Sequence, residues 1–178
     1  LSEATQLNGI NLEKLREIVR EVSANREKAE ELNVWRARVR WLGGFRGRAY
    51  VRDHTFIIDE PSDLAGVDTA PNAVEYVLSA LGGCLTVGFI LNATKNNIRV
   101  DNLEVSLEGR IDNILTFLGL SDQGHPGYRE ITAKLYVSSP ADPKTIQEIW
   151  RKTVETSPVG NTLARNVKIV PEVSIVDS

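Results

Sequence analysis

The segment Pro71-Asn-Ala-Val-Glu-Tyr-Val-Leu-Ser-Ala-Leu-Gly-Gly-Cys-Leu-Thr-Val-Gly-Phe-Ile-Leu91 is apolar on nearly every helical face. A helix with no polar side has to be surrounded, so the rest of this chain must fold around it. The stretch is about long enough to cross a bilayer. It carries Glu75 near its start and Gly82-Gly83 at its centre, however, and it lacks flanking basic or aromatic anchors. The pattern therefore predicts a helix from about Asn72 to Lys95 inside a soluble domain, with no membrane contact. Near the middle of that helix sits Cys84, the only cysteine in a chain that has no methionine.

With 178 residues, 42% of them hydrophobic and 25% charged, the chain can bury a substantial single core. A formal charge of −3 argues against tracking of nucleic-acid phosphates, which requires a cationic surplus. One cysteine excludes an internal disulfide framework and fits a reducing compartment. The opening Leu1-Ser-Glu-Ala-Thr-Gln has no basic stretch followed by an apolar run, so the expectation is a cytoplasmic protein.

Periodicity divides the chain into an N-terminal helical appendage, residues 1–33, and one domain, residues 34–178. In the appendage, Leu12, Leu15, Ile18, Val19 and Val22 recur at helical spacing behind Asn11 as N-cap, which predicts a helix over 11–33. From Trp35 to Trp41 the period changes to two, with Arg36, Arg38 and Arg40 alternating with Trp35, Ala37, Val39 and Trp41 in a half-buried strand. Two further strands are expected over 45–51 and 55–59, followed by a loop rich in turn residues up to Pro71. Beyond the long helix, Leu103, Val105 and Leu107 alternate with Glu104, Ser106 and Glu108, and Ile131, Ala133, Leu135 and Val137 mark the next strand. Asp142-Pro143 opens a helix with a cap residue and a proline at its first position. A short helical turn after Ser157-Pro158 and a last strand over 167–175 complete the pattern. Runs of strands separated by helices indicate an α+β domain with mostly antiparallel sheet.

The arginines of the first strand could bind an anion, but a solvated sheet face explains them, with Glu104 and Glu108 of another strand supplying opposite charge. His54 and His125 have no ligand spacing, and no metal or cofactor site is expected. No phosphate-cradling loop, nucleophile elbow or dinucleotide fingerprint is present. Cys84 remains as the candidate nucleophile. A lone cysteine in an apolar helix is by default a small buried hydrophobe. A reactive one needs a cation to hold its thiolate, and none lies within one helical turn.

The run Asp59-Glu-Pro…Asp68-Thr-Ala-Pro71-Asn-Ala-Val-Glu75-Tyr-Val-Leu-Ser-Ala-Leu-Gly-Gly-Cys84-Leu resembles the OsmC/Ohr family, and the likeness extends over residues 34–175. That resemblance implies a long central helix wrapped by antiparallel sheet in an intertwined homodimer. It also implies reduction of small apolar hydroperoxides by a two-cysteine cycle, in which an attacking thiolate becomes sulfenic acid and a second cysteine resolves it. Carried over, Cys84 is the peroxidatic thiol and Glu75 is the glutamate that orients an arginine beside it. Arg46, in Gly43-Gly44-Phe45-Arg46, is the matching arginine, with Arg48 and Arg52 as rivals. The family's resolving cysteine precedes a proline late in the chain. Thr156-Ser157-Pro158-Val159 stands there instead, so a two-cysteine cycle is impossible within one chain, and Ser157 also fits a helix cap.

Glu75 and Cys84 are nine residues apart, which puts them on opposite faces of a regular helix and about 13 Å apart along it. Either Gly82-Gly83 distorts the helix, or Glu75 and its arginine serve Cys84 of a second subunit. Two functions remain open. One is a one-cysteine thiol peroxidase regenerated by an external thiol reductant. The other is a redox-inactive dimer of the same fold that binds an apolar small molecule or a protein partner.

Overall fold

The computed structural model describes residues 6–175. The chain enters through two short strands, β1 (Gln6–Leu7) and β2 (Ile10–Asn11), paired about Asn8-Gly9. Both turn residues have positive φ, 55° and 75°, which asparagine and glycine accept at little cost. Strands this short carry no readable alternation, and the sequence pattern misses the hairpin. The Asn8 side chain anchors it, donating from Nδ2 to Thr94 Oγ1 at 3.0 Å and to the Ile98 carbonyl at 2.9 Å. Asn8 Oδ1 accepts from the Val100 N–H at 2.8 Å.

Helix α1 (Leu12–Ala24) begins at Asn11, whose side chain accepts from the Lys14 N–H as expected of its cap. The single helix predicted over 11–33 is in fact two. Asn25 leaves helical geometry and caps α2 (Arg26–Glu31) by accepting from the Lys28 N–H. The apolar stripe has faded by then, so nothing holds a continuous helix against the cap that asparagine offers.

Strands β3 (Arg38–Gly43), β4 (Arg46–Val51) and β5 (His54–Ile58) form an antiparallel sheet in that order. β3 starts later than Trp35 because β4, its only partner among the described residues, turns away toward β5 just past the Arg38–Tyr50 pair. The Glu104 and Glu108 expected beside its arginines lie in a separate sheet of this chain. Arg40 instead pairs directly with Arg48, and Arg38 sits 4.7 Å over the Tyr50 ring. The other face of β3 is open, with Val39 58% and Trp41 74% exposed.

The loop after β5 holds one 3₁₀ turn, Ser62–Leu64, and is gathered around the buried Asp59 carboxylate. That carboxylate accepts from the Glu60, Val67 and Thr69 N–H groups and from the Thr69 hydroxyl, the last at 2.6 Å. Gly66 passes so close to Glu60 that a β-carbon there would lie 1.7 Å from the Glu60 carbonyl oxygen.

Helix α3 (Ala73–Lys95) opens with a reciprocal capping box, Glu75 N–H to Asn72 Oδ1 and Asn72 N–H to Glu75 Oε2. It is followed by β6 (Asn102–Ile111), α4 (Ile114–Phe117), β7 (Tyr128–Ser138), α5 (Pro143–Thr156) and α6 (Pro158–Ala164). β6 and β7 pair antiparallel and lay alternate residues against α3, while α5 and α6 pack on it from elsewhere. Phe89 and Ala93 of α3 and Ile149 of α5 are buried at the centre, among Leu103, Leu135, Val137 and Ile146. The helix that could span a membrane by length and apolarity is thus the central element of an α+β fold with antiparallel sheets.

One expected strand is missing. Residues 166–175 carry no helix or strand, and Ile169, Val173 and Ile175 are 87%, 87% and 94% exposed. Alternation favours a strand only where an edge is free to pair with it, and among the described residues no strand edge takes it up.

Candidate thiol site

Cys84 is half-buried on α3. Its neighbour comes from the other end of the domain: the Ser157 hydroxyl donates to Cys84 Sγ at 3.2 Å. Ser157 is 3% exposed and occupies the junction where α5 ends and α6 begins. Its oxygen accepts from the Gly160 N–H at 3.0 Å, the N-cap role expected of it, and that bond leaves the hydroxyl proton to point at the sulfur. Pro158 at the first position of α6 fixes the turn that presents the hydroxyl.

Beside this pair runs an apolar groove of about 540 Å³ between α3, β7 and α6. Val77, Leu81 and Leu85 line it from α3, facing Ala133 and Leu163. On a helical wheel with 100° per residue, those three positions fall about 20°, 60° and 100° from Cys84, so the thiol leaves α3 toward the groove's side, next to its lining residues Leu81, Leu85 and Gly160. That these three residues border a groove required α6 to be in place.

On the other side of Cys84, α3 shows a stripe of small and apolar residues to solvent. Ala80, Gly83 and Val87 are exposed, Val87 at 68%. Cys84 therefore lies at the boundary between the packed interior and an open apolar helix face.

Glu75 and the arginines are elsewhere. α3 is unbroken through Gly82-Gly83. These glycines do not distort it, and Glu75 stays on the face opposite Cys84. Gly82 has another use: a β-carbon there would lie 2.8 Å from Leu107 Cδ1, so its absence lets α3 sit close on β6. The Glu75 carboxylate closes the capping box, and it lies near Tyr128, whose hydroxyl donates to the Val74 carbonyl at 2.9 Å. Burial first, and the Glu75 charge second, push the Tyr128 phenol upward from its ordinary range. Arg46 and Arg48 lie on β4 and Arg52 in the turn after it, all exposed. Among the described residues none of the three bonds to Cys84 or Glu75 of the same chain. Cys84 and Ser157 are brought together within one chain; Glu75 and the arginines are not.

A family model described as OsmC-like protein matches residues 66–172, the stretch that holds Cys84, Glu75 and Ser157. The chain belongs to the OsmC-like family. No functionally curated protein matched it. Among solved structures, an OsmC-like protein from Mycoplasma pneumoniae superimposes with a TM-score of 0.64 at 20% identity, covering 74% of this chain and 87% of that one. An organic hydroperoxide resistance protein OsmC from Legionella pneumophila gives 0.56 at 14% identity, covering 73% and 88%. The organic hydroperoxide resistance protein OhrB of Bacillus subtilis gives 0.51 at 20% identity, covering 75% and 92%. These likenesses establish the OsmC-like fold expected from the apolar helix and its flanking motif.

Proposed function

We propose that this OsmC-like chain is a cytoplasmic, thiol-dependent reductase of small apolar organic hydroperoxides, with Cys84 as its only redox group. The contact that carries the reading is the Ser157 hydroxyl on Cys84 Sγ at 3.2 Å, beside an apolar groove. Two of the structural neighbours are named for organic hydroperoxide resistance, which adds support. The Cys84 thiolate attacks the outer oxygen of the hydroperoxide and the O–O bond breaks. The alkoxide leaves with a proton as alcohol, and sulfur is oxidised to sulfenic acid. Ser157 offers no second sulfur. An external thiol therefore condenses with the sulfenic acid, releasing water and leaving a mixed disulfide. A second equivalent of that thiol restores Cys84 and carries away the disulfide.

The active form in this reading is a homodimer. Three apolar surfaces lie open in the single chain: the α3 stripe at Ala80, Gly83 and Val87, the β3 face at Val39 and Trp41, and the segment with Ile169, Val173 and Ile175. Contiguous apolar surface left open on a single chain marks a place of association. Because α3 is straight, Glu75 reaches a cysteine only in the second subunit, and Arg46 is the guanidinium it would orient there.

Trapping tests this. After addition of cumene hydroperoxide, a dimedone adduct is expected on Cys84 in the native protein and absent in Cys84→Ser. In the presence of a small thiol the adduct should give way to a mixed disulfide. A Cys84 that resists oxidation by excess hydroperoxide would rule the reading out. The redox-inactive dimer would then stand, since the groove of about 540 Å³ could hold an apolar molecule without any sulfur chemistry.

A further inference from the structure

The N-terminal helix makes a second groove that the thiol site does not use. It measures about 620 Å³ and lies between α1 and the last turn of α3. Leu12, Leu15 and Val19 form its apolar wall, and Arg16, Arg20 and Lys95 stand along the groove. All three cations are exposed, and none takes part in an ion pair among the described residues, where the five pairs present involve other groups. At 100° per residue, Glu17 and Glu21 project from the far side of α1, away from the apolar wall, and Glu13 lies to the flank, in the direction of Arg20 but two turns before it. The hairpin that leads into α1 is tied to the end of α3 by the bonds of Asn8 to Thr94, Ile98 and Val100, which fixes where α1 starts beside it.

The geometry points to a binding site for a free medium-chain alkyl carboxylate. The alkyl chain lies on Leu12, Leu15 and Val19, and the carboxylate meets Arg16, Arg20 and Lys95. The volume is within the range of small organic ligands. Apolar contact alone would suit a neutral chain equally well. Three unpaired cations around one groove select the anion, because a guanidinium forks onto a carboxylate with two parallel hydrogen bonds. The site lies largely outside the family's matched residues and does not depend on the chemistry at Cys84.

Calorimetric titration of the full chain with decanoate, below its micelle concentration, tests the assignment. One saturable site per chain is expected. Decanol, of equal length and no charge, should bind at least about tenfold more weakly, as should decanoate to Arg16→Gln/Arg20→Gln. Lys95→Gln, on the opposite wall, should weaken it in the same direction, and Cys84→Ser should bind as the native chain does. All these cationic side chains are exposed, so their variants are expected to fold, which circular dichroism checks. Three outcomes overturn the assignment: no saturable binding, binding indifferent to the three cations, or capture by phosphatidylglycerol vesicles with none of free decanoate.

Discussion

Ser157 Oγ and Cys84 Sγ meet at 3.2 Å although the residues are 73 apart in the chain. A thiol introduced in place of that hydroxyl would therefore stand in reach of the Cys84 sulfur. In Ser157→Cys, hydroperoxide should drive an intrachain disulfide between the two positions, read as the loss of two hydrogens by mass spectrometry of the non-reduced protein. The same substitution weakens the α6 cap and should cost about 1 kcal/mol when reduced. A Cys84 sulfenic acid that persists unresolved in this variant would mean the two side chains do not meet as described.

Val87 is 68% exposed in the single chain, so Val87→Arg should change the stability of an isolated chain by no more than about 0.5 kcal/mol. In a dimer built on the α3 stripe, the same guanidinium would be buried without a partner. The expected result is halved mass by light scattering, together with slower oxidation of Cys84 by hydroperoxide. A Val87→Arg monomer that reacts at the native rate would exclude the cross-subunit assembly of Glu75 and Arg46.

Asn8 makes three hydrogen bonds to the segment that closes α3, at 2.8 to 3.0 Å. Its φ of 55° also suits asparagine better than most residues. Asn8→Ala should lower unfolding free energy by roughly 2 kcal/mol in urea titration, from the lost bonds and the strained turn. Amide exchange should quicken in α1 first, since α1 is held to α3 through this hairpin.

Asp59 accepts four hydrogen bonds from the loop it organises, and these hold its carboxyl down at about 2, below its ordinary 3.8. The Thr69 hydroxyl is the largest cause, followed by the Thr69 N–H. A depressed folded-state value means the charged form stabilises the fold above pH 3.8, and that stabilisation is lost as pH falls through about 2. The prediction is a steepening loss of stability from about pH 4 to about pH 2 that is absent in Asp59→Asn, with the variant already weaker at neutral pH. Thermal melts across that range check it.

The long apolar run, the period-two strands and the Asp142 and Ser157 caps were legible in the chain because each depends on neighbours within a few residues. The same locality made the opposition of Glu75 and Cys84 calculable before any coordinates. Where a residue's surroundings come from distant segments, the pattern failed. Residues 166–175 alternate like a strand yet find no edge among the described residues, and Glu104 and Glu108 lie in another sheet from the arginines they were expected to balance.

The apolarity of Pro71–Leu91 by itself called for cover on every side of one helix, since hydrophobic burial needs no directional information; within a single chain the stripe of Ala80, Gly83 and Val87 stays open. What only the tertiary structure decided was which groups stand around the sulfur. Contact of Ser157 with Cys84 depends on how α5 and α6 fold back across α3, and that path is set by packing of the whole core. A hydrogen bond needs its two atoms within a few tenths of an ångström of the right separation, and no local spacing in a sequence specifies a distance across 73 residues.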